Sequence, residues 1–219
     1  IYSNANTALL PYFEESALQG LYDQNQQWEK QKPGVASTVI PVFKCPSSGA
    51  SNPYVDTLLG KVVADSVFGI SEYAYCMGYT DAFCVQEGIK PGRIPKSQRG
   101  MFNMAFGASI RQITDGTSKT IAMGDASGDP KWTICHKANC TTADVVPNSL
   151  GERPTTTWGW IVGEPNSTVF FSVLGPKASV YGCTIEPMNK NPVTDTYLEF
   201  IQFGSDYGKF KTDPNHYCK

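Results

Sequence analysis

The chain has 219 residues, enough for one sizeable domain whose core needs no covalent staples. Only 17% of the residues are charged, against roughly 25% in an average soluble domain, so Ser, Thr, Asn, Gln, Gly and Tyr must cover much of the surface, as is common outside the cell. A net charge of −2 with scattered Lys and Arg argues against a nucleic-acid partner, and the short apolar runs argue against a membrane span within this sequence.

The first predicted element is a helix from about Pro11, within a helical part over about residues 7–32. Proline suits a first helical turn, and Glu14 and Glu15 stand where the helix dipole favours anions. Phe13, Ala17 and Leu21 recur every four residues, with Leu18 and Tyr22 beside them, and form the predicted apolar face. Lys32, Pro33 and Gly34 end the element, and an extended run, STVIPVFKCP, follows.

Beyond Pro46 the runs EYAYCMGY, KTIAMGD, TTWGWIV, STVFFSVLG and YLEFIQFG are short and rich in β-branched and aromatic residues. Glycine, proline, Asn and Asp punctuate them, which predicts an antiparallel sheet with long loops. A helix followed by strands gives an α+β class, read as one domain over 1–219.

The stretch QITDGTSKTIAMGD (112–125) concentrates turn and hydroxyl residues. Its Gly-Thr-Ser resembles a protease nucleophile motif, but that chemistry needs a histidine base. The two histidines, His136 and His216, lie outside any glycine-rich setting, and Lys119 follows Ser118. No catalytic residue is assigned. GSDYGKF (204–210) falls one residue short of a phosphate loop, and Phe210 stands where Ser or Thr should hold magnesium. Asp115 and Asp125 are candidate ligands for a structural calcium ion, without the alternating carboxylates of an EF-hand. The reading that explains most residues is a turn at Asp115-Gly116, with glycine at positive φ. Ile110 and Ile113 would anchor it in the core, Thr114, Thr117 and Ser118 would cap it, and a strand would run from Thr120 to Met123.

Seven cysteines suggest an oxidising compartment. Spacing allows the pairs Cys76–Cys84 and Cys135–Cys140, with Cys183–Cys218 securing the C-terminal end and Cys45 left over. A zinc site drawing on Cys135, Cys140, His136, His216 and Cys218 is the alternative, though no C-x-x-C knuckle occurs. Trp158 and Trp160 alternate and should share one side of a strand, as a core face, a subunit contact or a carbohydrate platform. Asn139 and Asn166 lie in glycosylation sequons.

Several segments together resemble one family. They are ALLPYFEESALQGLYD (8–23), IPVFKCPSS (40–48), EYAYCMGYTD (72–81), RGMFN (99–103), IRQITDGTSKTIAMGD (110–125) and TWGW (157–160). The family is the set of pilin-like secreted proteins abundant in planctomycetes, which carry a type IV prepilin leader and a domain of unknown function. The resemblance implies a pilin-like head, with a helix packed on a sheet and irregular disulfide-tied loops. It implies an exported, extracytoplasmic, non-enzymatic protein acting in assembly or adhesion through self-association or other protein subunits. Any membrane contact would run through an N-terminal helix outside this sequence. Ile1 is not an initiator Met, so a trimmed product is expected, and a partner for Cys45 in the missing piece would explain the odd cysteine count. The family's C-terminal signature, a His, nine residues, then Asp-Gly, does not occur here. The alternative is an extracytoplasmic binding module or accessory subunit.

Overall fold

The computed structural model describes residues 4–57, 66–78, 99–102, 107–126, 128, 131–135, 141–145, 155, 157–162, 181–183 and 189–194. The chain divides into two compact units. One comprises Ile1–Tyr73, Ser127–Lys131 and Thr155–Val180, and the other comprises Ala74–Ala126, Trp132–Pro154 and Tyr181–Lys219. Short helices and small sheets make the fold α+β.

The first unit opens with helix α1 (Ala5–Leu9). Asn4 caps it, its Oδ1 accepting the Thr7 N–H at 3.0 Å. A 3-10 turn follows at Leu10–Phe13, and Glu14 then takes left-handed backbone at φ 65. Helix α2 (Ser16–Leu21) begins two residues later. The single helix expected from Pro11 is therefore two short ones, and the first starts ahead of the proline. A left-handed residue breaks the 3.6-residue phase, so Phe13, Ala17 and Leu21 do not share a face. Leu18 and Tyr22 of the expected face are buried together with Leu10, whereas Ala17 is exposed and Leu21 is 52% exposed.

After α2 the chain turns back through a loop closed by Gln31. Its Oε1 accepts the Asp23 N–H at 2.8 Å, and its Nε2 donates to the Asp23 carbonyl at 2.8 Å and to those of Gln26 and Gln27 at 3.2 and 3.3 Å. This loop delivers Trp28 to the core. Two antiparallel pairs complete the unit. Strands β1 (Tyr54–Val55) and β2 (Val67–Phe68) align Tyr54 with Phe68. Strands β3 (Ile70–Ser71) and β7 (Trp158–Gly159) align Ile70 with Gly159. Leu10, Leu18, Trp28, Ile40, Phe43, Phe68, Trp160 and Ile161 form one core cluster. Each such side chain stabilises the fold by roughly 1.5–3 kcal/mol on burial. Phe13 packs edge-on against Phe43, with ring centres 5.6 Å apart.

The second unit contains strands β4 (Tyr73–Gly78), β5 (Met123–Asp125) and β8 (Tyr181–Cys183) in the order β5-β4-β8. β4 and β8 run parallel, and so do β6 (Ile134–Cys135) and β9 (Val193–Thr194). The antiparallel pairing expected from the sequence holds for β1 with β2 and β3 with β7, and these parallel pairs depart from it. Parallel partners need a long connection, and each of these strands meets a partner far along the chain. Among the described residues no helix is long and apolar enough to cross a membrane.

Candidate functional site

Glu72 is fully buried at 0% exposure, and three donors meet its carboxylate. It follows Ser71 of β3 and precedes the aromatic and small residues of β4. Its backbone N–H donates to the Phe43 carbonyl at 2.9 Å, which sets the carboxylate beside the Cys45-Pro46-Ser47-Ser48 turn. That turn closes on itself through the Ser48 N–H and the Cys45 carbonyl at 3.0 Å. Its donors then face inward. The Cys45 N–H reaches Glu72 Oε2 at 2.8 Å, and the Ser48 hydroxyl donates to Oε1. A third donor, the Gly128 N–H, reaches Oε1 at 3.2 Å. The Gly128 carbonyl in turn accepts the Thr157 hydroxyl. A side chain at Gly128 would bring a Cβ within 3.4 Å of both Glu72 Oε1 and the Thr157 Cα. One carboxylate therefore ties residues 45–48 to residue 128, and through Gly128 to Thr157. Hydrogen bonds to a charged acceptor contribute roughly 1.5–3 kcal/mol each, and losing the acceptor leaves buried donors unpaired.

A second bracket holds TWGW. Asn4 Nδ2 donates to the Trp160 carbonyl at 2.8 Å and to that of Val162 at 3.2 Å, and Asn6 Nδ2 donates to Trp160 at 3.0 Å. The Trp160 N–H bonds the Gly69 carbonyl at 2.9 Å, and its indole N–H bonds the Thr38 carbonyl at 3.0 Å. Burial of these amides and the indole without partners would be costly, so the bracket fixes the turn after β7.

Two buried phenols border the core. Burial, reinforced by the Glu29 carboxylate, pushes the Tyr22 phenol well above its usual range. Burial and then the Asp56 carboxylate push the Tyr54 phenol well above it as well.

The residues singled out from the sequence fall elsewhere. Gly116 has φ 88, as the Asp-Gly turn requires. Ile110, expected as a core anchor, is 77% exposed: it opens a surface 3-10 turn at Ile110–Gln112, whose capping box of Ser109 and Gln112 is satisfied without burial. The strand expected from Thr120 begins at Met123, because Thr117–Lys119 forms another 3-10 turn and the Thr120 hydroxyl bonds back to the Gly116 carbonyl at 3.0 Å. Asp115 is exposed in the turn and Asp125 is exposed at the end of β5. Among the described residues no three His, Cys, Asp or Glu side chains gather as a metal site.

Trp160 is fully buried, as the core-face reading of the pair has it and not as a ligand or subunit contact would; β7 ends at Gly159 and the chain turns it into the core. Trp158 lies in β7 opposite Ser71. Cys45 and Cys76 are free thiols. Cys84, the expected partner of Cys76, lies outside the described residues, and Cys76 stands in β4. It sits in the middle strand of three, where the sheet ladder fixes its backbone from both edges. Cys135 lies in β6 and Cys183 in β8. Cys84, Cys140, Cys218, His136 and His216 lie outside the described residues.

The Glu72 bracket was not foreseen. Its one local signal is a glutamate that enters a strand of aromatic and small residues with no polar alternation around it.

No curated protein and no solved structure matches the chain. A family model does, over residues 3–191, and its description is a protein of unknown function, DUF1559. That span takes in α1, both brackets and the Asp-Gly turn and ends before β9, and the chain therefore belongs to the DUF1559 family.

Proposed function

We propose that this chain is the folded head of an exported, non-enzymatic surface protein of the pilin or pseudopilin kind, acting in assembly or adhesion. The observation that carries the reading is the Glu72 bracket. The Cys-Pro-Ser-Ser turn and the Glu-Tyr-Ala-Tyr strand, two segments through which the chain resembles pilin-like secreted proteins, meet in internal hydrogen bonds that brace the fold. A composition with only 17% charged residues suits contact with other protein subunits. In this reading an apolar N-terminal helix outside the sequence packs into a filament or membrane, and the loops are tied by disulfides in an oxidising compartment.

The reading is tested by labelling the protein on intact cells of its natural source with a membrane-impermeant amine reagent. It predicts labelling comparable to that of known surface proteins. Labelling only after lysis, in the cytosolic fraction, overturns it.

A further inference from the structure

We draw no further inference here: the strongest candidate, the outer edge of β5 at the border of its sheet with Ile121 and Met123 exposed along it, carries nothing because among the described residues nothing shows what covers it.

Discussion

A methyl group on Gly69 would stand 2.1 Å from the Thr38 carbonyl oxygen and 3.0 Å from the Trp160 ring. Neither neighbour can retreat, since the Thr38 carbonyl holds the indole N–H and the indole fills the core. Gly69→Ala should therefore cost roughly 3 kcal/mol or more in urea unfolding. Gly124, with nothing within 4 Å of an added Cβ, is the control, and Gly124→Ala should be neutral or slightly stabilising. The buried phenols make a different prediction. Tyr54 has a folded pKa raised above its ordinary value. Below pH about 10 the phenol is neutral in both states, and its contribution to stability is fully present. Above that pH the unfolded chain releases the proton first, so stability falls as pH rises toward the folded pKa. Urea midpoints measured from pH 8 to 11 should fall, and Tyr54→Phe should flatten the decline; an unchanged slope would show that Tyr54 is not the group responsible.

At the scale of elements, what was legible followed from local chemistry, and what was not depended on distant partners. Asp115-Gly116 announces a turn by itself, because only glycine takes φ 88 without strain. The helical region was legible from its apolar residues, but its phase was not. Nothing local requires left-handed backbone at Glu14, and that single residue decides which side chains face inward. The consequence is measurable on α2. Leu18→Ala should destabilise by roughly 2–5 kcal/mol, and Leu21→Ala, on the exposed face, by less than about 0.5 kcal/mol. Equal losses would restore the continuous helix read from the spacing. Trp160 turns inward apart from Trp158's strand for a similar reason. Alternation predicts one side for Trp158 and Trp160 only while the strand lasts, and β7 stops between them. The Glu72 bracket was illegible because its donors come from residues 45, 48 and 128, which no window around residue 72 contains.

At the scale of the molecule, several segments within the family match carry structure. The Cys-Pro-Ser-Ser turn encloses Glu72, TWGW is held by Asn4 and Asn6, and Gly69 lets the chain pass beneath Thr38. The α+β class followed from the order of helix and strands, whereas the parallel pairings of β4 with β8 and β6 with β9 join distant residues and left no local trace. The measurement closest to the central claim is a double-mutant cycle on Glu72 and Ser48, read as unfolding free energy in urea. Glu72→Gln should cost roughly 1–3 kcal/mol and Ser48→Ala a similar amount, with the double variant losing clearly less than their sum because both act on one bond. Full additivity, or a Glu72→Gln protein as stable as the parent, would contradict the claim that this carboxylate braces the fold.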